Sequence, residues 1–87
     1  MKEFDLVIKD ENGIHARPAG IVVKAVKKTG SKAKVIFGEK ECDMTKLLQF
    51  MGMGIKKGDT ITVRVEGGDE EASAAAIKKA FEDNGLV

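Results

Sequence analysis

The sequence contains no tryptophan or tyrosine, and it has one proline, one histidine and one cysteine among its 87 residues. A single cysteine, Cys42, excludes an internal disulfide and a Cys-based metal cluster, and a free thiol is typical of a reducing compartment. The shortage of aromatic side chains disfavours a surface that stacks on nucleic-acid bases. No apolar run approaches the ~20 residues that a membrane span needs, and charged residues follow Met1 directly. We therefore expect a cytoplasmic protein that neither inserts into membranes nor binds nucleic acid.

The composition indicates a folded globular chain. Hydrophobic residues make up 43% and charged residues 33% of the sequence, and the formal net charge is +1. A chain of 87 residues suits one hydrophobic core, so we expect a single domain over residues 1–87. The acidic residues lack the spacing of a calcium loop, and the glycines form neither a Walker loop nor a dinucleotide fingerprint. We expect no metal and no cofactor.

Hydrophobic periodicity predicts four strands and three helices in the order β-α-β-β-α-β-α. The strands are expected around residues 4–8, 33–37, 41–44 and 61–65, and the helices over 16–28, 46–53 and from 70 to 84. Gly30 is suited to end the first helix, Thr45 is expected to cap the second, with Phe50 in the core, and Asp69 is expected to cap the third. Cys42 falls in a predicted short strand, which does not decide whether its thiol is buried. This order predicts an α+β domain with helices on one face of a single sheet.

His15 lies where a strand-ending turn meets the start of the first predicted helix. The first N–H groups of a helix have no intrahelical partner and lie at the positive end of the helix dipole, so they attract anions such as phosphate. Pro18 has no N–H and fixes the backbone of this first turn, which leaves Ala16 and Arg17 as the N–H donors. The positive helix end also favours the neutral imidazole, whose lone pair can attack phosphorus.

Arg17 is a cation in the first turn of a helix, where positive charge is locally unfavourable. Its guanidinium is suited to hold phosphoryl oxygens in a bidentate manner and to offset the charge that accumulates during transfer. On spacing and dipole arguments alone, a second interpretation is equally good. His15 is then a solvated turn residue, and Arg17 is a surface cation whose stem packs on the helix.

Three motifs resemble the HPr family of phosphocarriers, which serves the bacterial phosphoenolpyruvate-dependent sugar phosphotransferase system. The segment 13–19, Gly-Ile-His-Ala-Arg-Pro-Ala, is similar to the active-site signature of that family. The segment 51–58 is similar to the family's segment after the second helix, and 67–72 is similar to the entry into the last helix. Length, element order and motif positions agree without gaps, so the resemblance covers essentially the whole chain.

The resemblance implies an open-faced β-sandwich with four antiparallel strands in the order 1-4-2-3 and three helices on one face. It implies that His15 is phosphorylated at Nδ1 by enzyme I, with help from Arg17, and that the acceptor is an enzyme IIA domain. A monomeric carrier that is not itself a turnover enzyme is expected. The family's docking face carries over to a set of residues from the first two helices: Ala16, Gly20, Lys24, Lys27, Leu47, Leu48, Gln49, Met51 and Gly52.

Lys46 is a departure from the family pattern. Many family members from low-GC Gram-positive bacteria have a serine at the matching position, which an ATP-dependent kinase phosphorylates. A lysine cannot form phosphoserine and puts a fixed positive charge where the modification would put a negative one. The sequence therefore places the kinase-dependent regulatory role in doubt.

Two other functions remain open at this point. The chain is a regulatory adaptor if phosphorylation of His15 only switches its affinity for target proteins. It is a small interaction domain without phosphotransfer if the helix start merely binds an adventitious anion. Comparing how target proteins bind to the phosphorylated and to the unphosphorylated form distinguishes a regulatory adaptor from a phosphoryl carrier.

Overall fold

The sheet and helices follow the predicted order along the chain. The computed structural model describes residues 1–87 and contains β1 (Lys2–Val7), α1 (Ala16–Thr29), β2 (Lys32–Phe37), β3 (Lys40–Asp43), α2 (Leu47–Met51), β4 (Thr60–Glu66) and α3 (Glu70–Asp83). The order β-α-β-β-α-β-α is therefore confirmed. The boundaries differ from the predicted ones by at most two residues, as is usual for element ends that fray.

All four strands belong to one antiparallel sheet in the order β1-β4-β2-β3, which confirms the order implied by the resemblance. Strand β4 is central, and its Val63 lies opposite Phe4 of β1 and Val35 of β2. Because directly opposed residues share a face, these side chains lie together on one side of the sheet. The hydrophobic alternation of the three strands therefore determines their register.

The helices cover only one face of the sheet. Ile61, Val63 and Val65 of β4 are fully buried, whereas Thr62 and Arg64 point to the other face and are partly exposed. Helix α3 packs against β1 and β4, α2 packs against β3, and α1 packs against α3. The open face of the sheet is polar, with an ion pair between the side chains of Arg64 and Glu3 at 2.6 Å.

Helix α1 buries the face that its periodicity predicts. The buried residues are Ala19, Val22, Val23 and Val26. Gly30 follows the helix with φ of 75°, the left-handed conformation in which glycine is preferred to end a helix. At the start of α3 the Asp69 side chain accepts the Ala72 N–H at 3.1 Å, which confirms the predicted cap. Both long helices thus end or begin as the sequence indicates.

Helix α2 differs from the prediction at its start. The prediction that Thr45 caps α2 is wrong: the N-cap is Lys46, whose side chain makes no capping bond. The Thr45 hydroxyl instead donates to Asp43 Oδ1 at 2.7 Å, and the Thr45 N–H donates to the same oxygen at 2.8 Å. The threonine is therefore held toward this carboxylate and does not cap the helix.

The predicted core role of Phe50 is confirmed. Its side chain is fully buried, and its ring meets that of Phe81 edge to face with 6.4 Å between ring centroids. Cys42 is half-buried, and this partial desolvation, followed by the charge of Asp43, raises the pKa of its thiol. None of the three helices combines the length and apolar character that crossing a membrane requires.

Candidate functional site

His15 lies at the surface, at the N-cap of α1. Its backbone is extended, with φ of −131° and ψ of 169°, so the chain turns into the helix directly after it. The side chain is 37% exposed. The ring is therefore accessible to a second protein, and it lies at the end of the helix where the dipole is positive.

The loop before α1 is held against the segment that precedes β4. Ile14 is buried, and its N–H donates to the Ile55 carbonyl at 3.3 Å. Gly13 has φ of 63°, and a Cβ at this position would collide with the same carbonyl oxygen. Only glycine permits this close approach, and the approach fixes where His15 enters the helix.

The first amides of α1 have no acceptor in the protein. The Ala19 N–H donates to the His15 carbonyl at 3.0 Å, and this is the first backbone hydrogen bond of the turn. Neither the Ala16 nor the Arg17 N–H donates to a protein oxygen, and Pro18 has no N–H. Two donors at the positive end of a helix, next to an exposed imidazole, form an arrangement suited to a phosphoryl group.

Arg17 is exposed and makes no ion pair with any carboxylate of the chain. The first turn of α1 contains no acidic residue, so nothing within it offsets the guanidinium charge. Arg17 thus lies two residues from His15 with its donors available to an external anion.

Asp10 is a site residue that the sequence analysis missed. Its Oδ2 lies 3.1 Å from His15 Nε2, and its Oδ1 accepts the Asn12 N–H at 2.8 Å. The hydrogen bond from His15, followed by that from Asn12, holds the pKa of this carboxyl below its usual value. A signal existed, because Asp-x-Asn-Gly before a helix is typical of a turn in which the aspartate side chain bonds its own backbone.

An open groove of about 730 Å³ runs between α1 and α2, beside the start of α1. Its lining residues are Ala16, Arg17, Gly20, Ile21, Val23, Lys24, Lys27, Thr45 and Leu47. Five of the residues predicted for the docking face, Ala16, Gly20, Lys24, Lys27 and Leu47, therefore line one surface. Leu48 and Gln49 line a neighbouring depression, whereas Met51 and Gly52 line neither.

Two large apolar side chains near this groove are exposed. Leu48 is 83% exposed, and Ile21 is 46% exposed. Ile21 was missed by the sequence analysis, although it lies one helical turn from both Arg17 and Lys24 and so on their face of α1. Exposed apolar residues beside a groove are typical of a protein-docking surface.

The comparisons with known proteins agree over the full length. Residues 2–83 match the family model described as the PTS HPr component phosphorylation site. The phosphocarrier protein HPr of Mycoplasma genitalium is 40% identical, and the match covers 100% of both chains. A mycoplasma histidine-containing phosphocarrier protein superposes with a TM-score of 0.94 at 34% identity, over 99% of this chain and 98% of that one. An HPr dimer from Thermoanaerobacter tengcongensis superposes with a TM-score of 0.73 at 31% identity, over 95% of each chain.

The fold and these matches define the class of the histidine phosphocarriers. The open-faced sheet, its strand order and its three helices match those of the solved relatives. The chain belongs to the HPr family of phosphocarriers of the phosphotransferase system.

Proposed function

We propose that His15 accepts a phosphoryl group from phosphorylated enzyme I and passes it to an enzyme IIA domain for sugar uptake. The observation that carries this proposal is the position of His15, an exposed imidazole at the N-cap of α1 beside two amides without protein acceptors. The match of residues 2–83 to the family model described as the PTS HPr component phosphorylation site supports a phosphorylated carrier.

The proposed chemistry is an in-line transfer between two proteins. A ring nitrogen of His15 attacks phosphorus, and the bond to the donor's leaving atom breaks with its electron pair remaining on the donor. The Ala16 and Arg17 N–H groups bind the phosphoryl oxygens, and the Arg17 guanidinium offsets their charge. The substrate is thus a phosphoryl group that another protein presents, which suits a carrier rather than a turnover enzyme.

The proposed docking surface for both partners is the face formed by α1 and α2. Residues 12–38 and 44–58, which contain both helices, include cationic residues but no Asp or Glu. The 14 acidic residues all lie in the rest of the chain. A face with an apolar centre and a basic rim fits partners with an acidic surface around an apolar patch, and such contacts associate rapidly and release readily.

We propose that regulation by phosphorylation at position 46 does not operate in this protein. Lys46 is exposed at the N-cap of α2 and has no hydroxyl to modify. Its permanent positive charge lies on the rim of the proposed docking face, where a phosphoserine would carry negative charge and repel an acidic partner.

A cytoplasmic monomer is the proposed working form. Because a solved relative from Thermoanaerobacter tengcongensis is a dimer, the oligomeric state of this chain is tested by measuring its mass in solution. We expect size-exclusion chromatography with light scattering to give the mass of a single 9.4 kDa chain.

The decisive experiment for this function is phosphoryl transfer in vitro. We expect incubation with phosphoenolpyruvate and enzyme I to add the mass of one phosphate, in an acid-labile linkage, and the His15→Ala variant to gain none. Addition of a IIA domain should then discharge the wild-type protein. A full mass gain in the His15→Ala variant contradicts the proposal.

A further inference from the structure

The carboxylate of Asp10 is anchored independently of His15. Its Oδ1 accepts the Asn12 N–H at 2.8 Å, and the Asp10 carbonyl accepts the Gly13 N–H at 2.9 Å. The second oxygen, Oδ2, then lies 3.1 Å from His15 Nε2. The turn thus places Oδ2 in front of the ring, and the ring has a fixed acceptor at one of its two nitrogens.

A carboxylate next to Nε2 decides which nitrogen of the neutral ring carries the proton. An ionised carboxylate only accepts hydrogen bonds, so the favoured tautomer has its hydrogen on Nε2. The other tautomer would turn the Nε2 lone pair toward a negative oxygen. The favoured tautomer leaves the lone pair of Nδ1 free, and Nδ1 makes no hydrogen bond within the protein.

We propose that Asp10 is a positioning residue that holds His15 as the Nε2–H tautomer and thereby directs phosphoryl transfer to Nδ1. This inference rests on the proposed function of His15. When Nδ1 forms its bond to phosphorus and the donor's bond breaks, the ring becomes a cation that keeps its Nε2 proton. Asp10 stabilises that cation, and the return of the phosphoryl group to an acceptor restores the neutral ring without any proton leaving Nε2.

The Asp10→Asn variant separates this role from a purely structural one. An asparagine keeps an oxygen that can accept the Asn12 N–H, so the turn is preserved. Its NH₂ group then faces Nε2 and donates to it, which favours the opposite tautomer with hydrogen on Nδ1. Glu11→Gln is the matched control, because it removes the same charge one residue away. The Glu11 side chain is exposed, and its ion pair is with Lys57 at 3.9 Å and not with His15.

The measurement is a long-range ¹H–¹⁵N spectrum of the His15 ring, recorded on the unphosphorylated protein at a pH where the ring is neutral. We expect the Nε2–H pattern in the wild type and in Glu11→Gln, and a shift toward the Nδ1–H pattern in Asp10→Asn. We also expect Asp10→Asn to accept phosphate from enzyme I about tenfold more slowly, the effect of one lost hydrogen bond to a charged group.

These measurements distinguish the proposed role of Asp10 from the proposed phosphoryl transfer through His15. An Nδ1–H pattern in the wild type overturns the inference, and this readout does not depend on whether Asp10→Asn folds. A spectrum and transfer rate of Asp10→Asn equal to those of Glu11→Gln also overturn it. The tautomer is read without any partner, so a failure of phosphorylation in the wild type contradicts only the proposed function.

Discussion

Gly13 is the residue whose replacement tests how the loop before α1 positions His15. It has φ of 63°, and a side chain there would meet the Ile55 carbonyl oxygen. The segment that carries Ile55 lies directly before β4, so the contact ties the loop to the sheet.

We expect Gly13→Ala to lower the free energy of unfolding by about 1–3 kcal/mol, because the backbone conformation and the close contact both disfavour a Cβ. Urea denaturation measures this value. Gly20→Ala is the control: Gly20 lies inside α1, and apart from the neighbouring residues and backbone of its own helix no atom lies within 4 Å of an added Cβ, so alanine should stabilise by about 0.5–1 kcal/mol. Equal stability of wild type and Gly13→Ala would show that the loop does not depend on this contact.

The roles of single residues were only partly predictable from the sequence. The free amides beside His15 were predictable, because the first N–H groups of a helix have no intrahelical acceptor whatever the tertiary structure. The Asp-x-Asn-Gly pattern indicated the turn at Asp10, but the contact of Asp10 with His15 depends on the path of the chain through Gly13, which no sequence pattern specifies. Thr45 was expected to accept the first amides of α2, but its hydroxyl donates to Asp43, and spacing alone does not distinguish these two kinds of partner.

At the scale of elements, α2 has one residue that stabilises the fold and another that is available for binding a partner. A helix of five residues cannot form alone, so packing must hold it in place. Phe50 supplies that packing and is fully buried, whereas Leu48, two residues earlier, is 83% exposed.

We expect Phe50→Ala to cost about 3–5 kcal/mol of stability, the usual range for removing a buried phenylalanine. Leu48→Ala should leave stability within about 0.5 kcal/mol and raise the KM for enzyme I about fivefold. Chemical denaturation and transfer kinetics of the two variants measure both effects. An unchanged KM in Leu48→Ala would show that Leu48 does not belong to the docking face.

The elements themselves were well predicted. Strand β4 and helices α1 and α3 have strong periodicity, and their buried faces agree with it. The strand order could be predicted only from the family resemblance. Hydrophobic alternation indicates which face of a strand is buried, but it does not indicate which strand lies beside it. Helix α2 was predicted to begin one residue early and to end two residues late, because a short apolar stretch has too few residues to define a period.

At the scale of the whole molecule, three carboxyl groups have a lowered pKa, and one of them, Glu70, joins the N-terminus of the chain to the start of α3. The cause for Asp10 is the hydrogen bond from His15, followed by that from Asn12; for Asp43 it is the backbone and hydroxyl of Thr45. For Glu70 it is the N-terminal amine, followed by the Gly67 N–H. Each group stabilises the fold when it is ionised.

We therefore expect the free energy of unfolding to fall in acid. A lowered folded-state pKa gives a contribution that is complete above the unfolded value of about 4 and is lost as the pH falls through the folded value. Denaturation between pH 7 and pH 2.5 measures the loss. Asp43→Asn keeps an acceptor oxygen for Thr45 but does not titrate there, so its stability should fall less steeply below pH 4. An equally steep fall would exclude Asp43 as a contributor.

The most direct measurement of the central claim is the location of the phosphoryl group after reaction with phosphoenolpyruvate and enzyme I. Heteronuclear NMR of the ¹⁵N-labelled protein locates the nitrogen bonded to phosphorus. We predict that it is Nδ1 of His15, with Nε2 still protonated and facing Asp10. Phosphorus bonded to Nε2, or to any residue other than His15, would contradict the account.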